Sequence, residues 1–267
     1  MNKEKLLSLG KCSYFDSCNN KPPLILIHGF SLKIGYEQYI KLLEKKFRII
    51  LPDLPFANHN KFLKKHTVQN YVEFIDELIE KLKLKNINIF GNSLGGALAL
   101  SCVLKNPNKF NKIIVRSPFY SKKLLPMKYK NSILLSIYKT LTSNPFFLNI
   151  FTNRFYDQMG KLSMNYNTNT ELYEKIKSAQ KKLDNPRCRE FIFSLLDLNL
   201  IPHLSKINNP TYILWPDKDS LLTVNGANYL HNNIKNSKLF IEQNSYHCIA
   251  TVKPHFIVNK ITSFIEK

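Results

Sequence analysis

Residues 88–96 read Asn-Ile-Phe-Gly-Asn-Ser-Leu-Gly-Gly, and this stretch decides the fold. Its first half completes an apolar strand and its second half begins a helix. Gly91 and Gly95 flank Ser93 in the pattern G-x-S-x-G, because a side chain at either flank would collide in so tight a turn. The pattern predicts a nucleophilic Ser93 above the end of a sheet. A glycine-rich strand–helix turn without chemistry is the alternative.

Short apolar runs alternate with helical patterns along most of the chain. The runs cover residues 24–27, 48–51, 88–90, 113–115, 212–215 and 239–241. Helical spacing of apolar residues predicts a helix over 67–82 with Thr67 as its N-cap, and further helices over 97–104 and 254–265. Strands that are apolar on both faces suit a parallel sheet covered by helices. We therefore predict an α/β fold with a doubly wound, mostly parallel sheet.

One long segment interrupts this alternation. Residues 119–205 contain several helical patterns, many Phe, Tyr, Leu and Met side chains, and no convincing strand. We predict a helical cap or lid inserted into a core made of residues 1–118 and 206–267. Phe146, Phe147, Phe151 and Phe155 suggest an acyl or aromatic substrate, and packing within the cap explains them equally well.

Two backbone N–H groups are candidates for an oxyanion hole. Residues 28–30 read His-Gly-Phe and follow the first predicted strand, so they are expected beside Ser93. The amides of Phe30 and Leu94 would then face the same oxygen, and each such donor is typically worth about 3 kcal/mol in the transition state. His28, at the strand end, is interpreted as a structural hydrogen-bonding residue.

The acid and the base are sought after later strands. Asp217 and Asp219 both follow the run 212–215, and Asp217 also suits a turn. Of the seven histidines, His247 alone lies between the last predicted strand and the last helix, whereas His255 is expected on the surface of that helix. The order Ser, Asp, His is typical of a nucleophile on a strand–turn–helix. Asp53 precedes the nucleophile and is interpreted as a structural loop residue.

The charge of the chain is strongly positive, at +20, and needs an interpretation. Of 39 basic residues only five are Arg, at positions 48, 116, 154, 187 and 189, and the Lys residues are scattered along every segment. Nucleic-acid binding uses Arg forks and exposed aromatic side chains gathered on one surface. The pattern favours a compositional bias towards Lys over a nucleic-acid partner, and leaves peripheral membrane contact open.

Other features of the sequence indicate where the protein is located and which cofactors it uses. The five cysteines are odd in number, and the N-terminus has no apolar run of signal-peptide length, so a cytoplasmic protein with reduced thiols is expected. No run approaches the ~20 apolar residues of a membrane span. No ligand spacing such as C-x-x-C or H-E-x-x-H indicates a metal, and no glycine-rich phosphate cradle indicates a nucleotide.

Taken together, these motifs resemble the α/β-hydrolase superfamily over nearly the whole chain. Residues 28–30 resemble its oxyanion motif, residues 91–96 its nucleophile elbow, and His247 with Pro254 its G-H…P ending. Residues 215–219, Trp-Pro-Asp-Lys-Asp, are similar to the family's W-G-x-x-D, which favours Asp219 over Asp217.

The resemblance implies hydrolysis without a cofactor, on a small-molecule ester or related acyl substrate. Two alternatives remain open. Asn92 beside Ser93 resembles the branch that cleaves carbon–carbon bonds in dienoic ring-fission products, and a non-catalytic ligand-binding protein can share the fold. The sequence does not fix the substrate or the oligomeric state.

Overall fold

A sheet of eight strands runs through the part of the chain that the structure, a computed structural model, describes. The described residues are 6–9, 12–30, 33–55, 65–125, 132–163, 170–181, 183, 185–248 and 253–267. The strands are β1 (Leu6–Leu9), β2 (Cys12–Asp16), β3 (Pro23–Ile27), β4 (Arg48–Pro52), β5 (Ile87–Asn92), β6 (Phe110–Arg116), β7 (Thr211–Pro216) and β8 (Ser237–Glu242). The helices are α1 (Tyr36–Leu43), α2 (Val68–Lys81), α3 (Leu94–Lys105), α4 (Ser132–Leu141), α5 (Pro145–Ser163), α6 (Thr170–Gln180), α7 (Asn185–Asp197), α8 (Asn225–Asn233) and α9 (Pro254–Ile265).

The strand order is β1-β2-β4-β3-β5-β6-β7-β8. The six strands from β4 to β8 in this order pair in parallel, and the hairpin β1–β2 joins β4 antiparallel. The prediction of a doubly wound, mostly parallel α/β sheet is confirmed. Because parallel strands share one carboxyl edge, the residues that follow β3, β5, β6, β7 and β8 are brought to that edge.

Successive strand residues pack into two cores on opposite faces of the sheet. Ile25, Ile89 and Ile113 point to the face that α2, α3 and α8 cover. Their neighbours in sequence, such as Leu24 and Phe90, point to the face that α1 and α9 cover. This alternation explains why the strand runs are apolar without a period of two.

Helix α2 forms where the spacing of apolar residues predicted it. Its buried residues are Val68, Tyr71, Val72, Phe74, Ile75, Leu78 and Ile79. The Thr67 hydroxyl oxygen accepts a hydrogen bond from the Asn70 N–H at 3.2 Å, which confirms Thr67 as the N-cap.

Four helices, α4 to α7, lie between β6 and β7, and no strand longer than an isolated bridge separates them among the described residues of this segment. Helix α5 packs against both α6 and α7. No helix within the described ranges is both long enough and apolar enough to cross a bilayer.

Candidate active site

Ser93 lies at the turn between β5 and α3, and its backbone has a conformation that few residues other than glycine adopt. Its φ of 56° and ψ of −118° lie outside the regions that ordinary residues favour. The turn is held by the Ser93 N–H, which donates to the Arg116 carbonyl at 2.8 Å, and by the Ser93 carbonyl, which accepts from Gly96 N–H at 2.9 Å. Backbone strain of this kind persists only where its surroundings fix it, and it concentrates at functional sites.

Close approach of the backbone explains the glycines of this turn. A Cβ on Gly91 would overlap the Gly95 carbonyl, and a Cβ on Gly95 would overlap the Ile27 carbonyl. Helix α3 therefore begins in direct contact with the end of β3. Ser93 itself is only partly buried, so part of the residue remains accessible to solvent.

The 28–30 segment lies against this turn. A Cβ on Gly29 would stand 3.4 Å from the Ser93 Cβ and 3.1 Å from the Asn92 carbonyl oxygen. The structure thus brings the predicted oxyanion segment beside the predicted nucleophile. Leu94 is the first residue of α3, where backbone N–H groups have no carbonyl partner within the helix.

His28 is fully buried, and its Nδ1–H donates to the Gly29 carbonyl at 2.9 Å. Burial lowers the pKa of His28 to about 4, against the opposing effect of that hydrogen bond. The ring is neutral at physiological pH, which agrees with its interpretation as a structural residue.

Asp219 and His247 meet at the carboxyl edge of the sheet. The His247 Nδ1–H donates to Asp219 Oδ2 at 2.6 Å, and both side chains are buried. Asp219 Oδ1 accepts the backbone N–H groups of Leu221 at 3.0 Å and Leu222 at 2.8 Å. The Trp215 indole N–H donates to the Leu222 carbonyl at 3.0 Å and so closes the loop that carries Asp219.

The charge of Asp219 is stabilised where it lies. Burial opposes ionisation, but His247, the Leu222 N–H and the nearby Ser117 hydroxyl together lower the pKa of Asp219 below its ordinary value. An ionised carboxylate accepts hydrogen bonds only, so it fixes the proton on Nδ1 and leaves Nε2 of His247 as an acceptor.

Asp217 has a different set of contacts. Its carboxylate accepts the backbone N–H groups of Asn244 at 3.0 Å and Ser245 at 2.9 Å. Burial opposes ionisation, yet these hydrogen bonds lower the pKa of Asp217. Asp219, rather than Asp217, contacts the imidazole, and Asp217 ties the turn after β7 to the turn after β8.

Asp53 and His255 also lie where the sequence placed them. Asp53 forms an ion pair with Lys33 and accepts a hydrogen bond from the Ser13 hydroxyl at 2.6 Å, which agrees with a structural loop residue. His255 is exposed at the start of α9.

Arg116 connects the two halves of the site, and sequence reasoning missed it. Its guanidinium is fully buried and pairs with the carboxylate of Glu242, with Nη2–Oε2 at 2.8 Å and Nε–Oε1 at 3.0 Å. It also donates to the carbonyl oxygens of His247 and Tyr246 and to Asn92 Oδ1, the last at 3.4 Å.

This arrangement ties the turn that carries Ser93 and the loop that carries His247 to one side chain. Burial opposes the charge of Arg116, but Glu242 keeps the pKa of Arg116 above its ordinary value. The signal in the sequence that could have identified Arg116 was an Arg at the end of an apolar strand, in a chain whose basic residues are mostly Lys.

No hydrogen bond joins the Ser93 hydroxyl to the His247 ring within the described part of the site. Contacts between a nucleophile and its base are often long in an unliganded site and shorten when substrate binds. The two residues are nevertheless linked through Arg116, since Ser93 N–H bonds the Arg116 backbone and His247 carbonyl bonds its side chain.

Helix α6 lies over both sides of the site. The Gln180 amide donates to the Phe30 carbonyl at 3.2 Å. Tyr173 and Ile176 are buried against Ile34, which follows the 28–30 segment, and Cys248, which follows His247. The helical segment between β6 and β7 therefore contacts the loops that carry the candidate oxyanion donor and the imidazole.

Of the four phenylalanines that suggested an acyl or aromatic substrate, the structure describes the side chains of two. Phe146 is 69% exposed and Phe147 is 40% exposed, so neither is packed in a core. The side chains of Phe151 and Phe155 lie outside the described residues. Within the described ranges, no three His, Cys, Asp or Glu side chains are grouped so as to hold a metal ion.

Comparison with known proteins identifies the family. The family model described as "alpha/beta hydrolase fold" matches residues 22–254. The chain belongs to the alpha/beta hydrolase fold family.

This alpha/beta hydrolase is similar to several known proteins. It is 26% identical to the uncharacterized hydrolase YugF of Bacillus subtilis, over 95% of this chain and 94% of that protein. It is 23% identical to the monoacylglycerol lipase ABHD6 of Mus musculus, over 92% of this chain and 76% of that protein. A solved hydrolase from Oleispira antarctica, olei00960, superimposes with a TM-score of 0.82 at 20% identity, covering 95% of this chain and 94% of that one.

Proposed function

We propose that this alpha/beta hydrolase is a serine hydrolase that cleaves a carboxylic ester through an acyl-enzyme. The observation that carries the proposal is the buried Asp219–His247 hydrogen bond of 2.6 Å at the sheet edge where Ser93 sits in its strained turn. A similar protein is named a monoacylglycerol lipase, which supports an ester as the substrate class.

The chemistry follows from the roles proposed for these groups. His247 Nε2 accepts the proton of the Ser93 hydroxyl as Oγ attacks the ester carbonyl carbon. The amides of Phe30 and Leu94 stabilise the oxyanion, each by about 3 kcal/mol. His247 then returns its proton to the leaving alcohol. A water molecule then gives a proton to His247 as it attacks the acyl carbon, and His247 passes that proton to the Ser93 Oγ as the acid is released.

Asp219 acts in this scheme by orienting the base. It holds the Nδ1 proton and stabilises the imidazolium that forms in each half-reaction. No cofactor or metal takes part. The four helices after β6 are proposed to act as a cap, with residues 119–205 as its extent, because α6 contacts the loops on both sides of the site. The proposal includes a cytoplasmic location, supported by the odd cysteine count.

Active-site labelling tests the proposal. The wild-type protein should react covalently with a fluorophosphonate probe and hydrolyse p-nitrophenyl esters, and Ser93→Ala should lose both activities. Ser101→Ala is the matched control, because Ser101 lies in the same helix and its hydroxyl only donates to the Ala97 carbonyl at 2.8 Å. Labelling that persists in Ser93→Ala would reject the nucleophile. Faster turnover of a vinylogous 1,5-diketone than of esters would replace ester cleavage with carbon–carbon bond hydrolysis.

A further inference from the structure

Exposed apolar side chains are concentrated at one corner of the molecule. Of the seven large hydrophobic residues that are exposed in the described part of the chain, five fall within residues 137–150, which we name the α4–α5 corner. They are Ile137 at 50%, Leu141 at 38%, Phe146 at 69%, Phe147 at 40% and Ile150 at 43% exposure. Single exposed apolar residues are ordinary, but such a group marks an interaction surface.

Within each of the two helices, the spacing places exposed apolar side chains on one face. Ile137 and Leu141 are four residues apart in α4, and Phe146 and Ile150 are four residues apart in α5. The rings of Phe146 and Phe147 meet edge to face, with centroids 5.5 Å apart.

The α4–α5 corner is attached to the rest of the molecule through its buried side. The buried Thr142 hydroxyl oxygen accepts a hydrogen bond from Arg189 Nε at 2.8 Å, and Leu148 is buried between the exposed residues of α5. The turn between α4 and α5 is thus attached to α7 by this hydrogen bond, and α5 itself also contacts α7.

The charged residues around the α4–α5 corner indicate which kind of partner surface could cover it. Between Glu80 and Asp157 the sequence contains no acidic residue. Exposed Lys139 lies between Ile137 and Leu141, and exposed Arg154 follows Ile150 by four residues on the same face of α5. The carboxylate of Asp157, the next acid along the chain, is already paired with Lys161 at 2.8 Å and Lys177 at 3.2 Å.

A second copy of this chain would bring positive charge against positive charge, at a net +20 for each copy. An anionic leaflet fits instead, since apolar side chains enter the acyl region while Lys and Arg reach back to the phosphates. We propose that the α4–α5 corner docks this protein onto anionic lipid bilayers. Docking goes beyond the hydrolytic function and does not depend on it.

Vesicle cosedimentation of the full chain tests the docking surface. The protein should bind vesicles of equal parts phosphatidylcholine and phosphatidylglycerol, bind phosphatidylcholine alone far more weakly, and dissociate in high salt. The triple variant Phe146→Ser, Phe147→Ser, Ile150→Ser should lower the partition coefficient by about 100-fold.

Matched controls separate docking from general hydrophobicity and from catalysis. The double variant Tyr229→Ser, Phe256→Ser removes exposed aromatics elsewhere and should change partitioning less than about twofold. Ser93→Ala should bind like the wild type, so failure of the hydrolase proposal would leave this one intact. An unchanged melting temperature shows that the triple variant folds.

Charge is tested separately by the double variant Lys139→Gln, Arg154→Gln, which should weaken binding to the anionic vesicles by about 30-fold. No binding of the wild type at low salt, or equal binding of the wild type and the triple variant, would overturn the proposal. So would a wild-type dimer that the triple variant converts to a monomer, since the corner would then join two copies of the chain.

Discussion

Replacing Glu242 with Gln removes one charge from the buried pair that links the two halves of the candidate site. Arg116 is 0% exposed and Glu242 is 1% exposed, so the guanidinium would be left in the interior without the carboxylate that pairs with it. Breaking a buried pair by changing one partner costs about 3–5 kcal/mol. That is a large share of the roughly 5–15 kcal/mol by which a domain is stable, and it corresponds to a fall in melting temperature of roughly 10 °C.

Replacing both members of the pair is expected to have a smaller effect on stability. The double variant Arg116→Met, Glu242→Leu leaves no buried charge and should recover most of the stability that Glu242→Gln loses. It still lacks the guanidinium that holds the carbonyl oxygens of His247 and Tyr246. We therefore expect a folded protein whose kcat for an ester falls by about 100-fold, because misplacing a catalytic group by 1 Å costs that much.

Urea unfolding and steady-state kinetics on the wild type, Glu242→Gln and the double variant separate the two effects. A loss below about 1 kcal/mol for Glu242→Gln would show that the buried guanidinium does not need the charge of Glu242. A double variant with wild-type kcat would show that Arg116 stabilises the sheet without positioning His247.

Two further predictions concern titratable side chains. Because the pKa of His28 falls from 6.5 to about 4 on folding, the unfolded chain binds its proton first as the pH is lowered. The contribution of His28 to the free energy of unfolding is therefore complete above pH 6.5 and should fall by about 3 kcal/mol between pH 6.5 and 4. Urea titrations of His28→Gln should not show this pH dependence. Asp219→Asn should reduce kcat by about 10⁴-fold while the protein stays folded, because the amide disfavours the tautomer with its proton on Nδ1. Asp217→Asn is its control and should stay within about tenfold of wild type, and the reverse order would assign the acid to Asp217.

The sequence was most informative where one local requirement decides the structure. The apolar runs located the six strands from β3 to β8, and the two flanking glycines located the turn at Ser93, because tight contacts within that turn leave no room for a Cβ. The structure extends α3 to Leu94, three residues before the predicted start at Ala97. The glycines at positions 95 and 96 weaken the helical pattern, although both lie inside the helix.

Features that depend on distant partners were not predictable. Arg116 and Glu242 lie 126 residues apart, and only the order β6-β7-β8 brings them together. The hairpin β1–β2 and helices α1 and α8 were also missed. The buried residues of α8 are Gly226, Ala227 and Leu230, and of these only Leu230 is large. The sequence of α8 therefore lacks the regular spacing of apolar residues that predicts a helix.

The position of β8 gives the Arg116–Glu242 pair a consequence for heat inactivation. Among the described strands β8 lies at the edge of the sheet and is hydrogen-bonded only to β7, and edge strands open at lower free energy than the centre of a sheet. When β8 opens, Glu242 leaves Arg116 and the loop that carries His247 loses its attachment. Loss of turnover on warming is thus expected to begin at temperatures where the remaining strands are still intact.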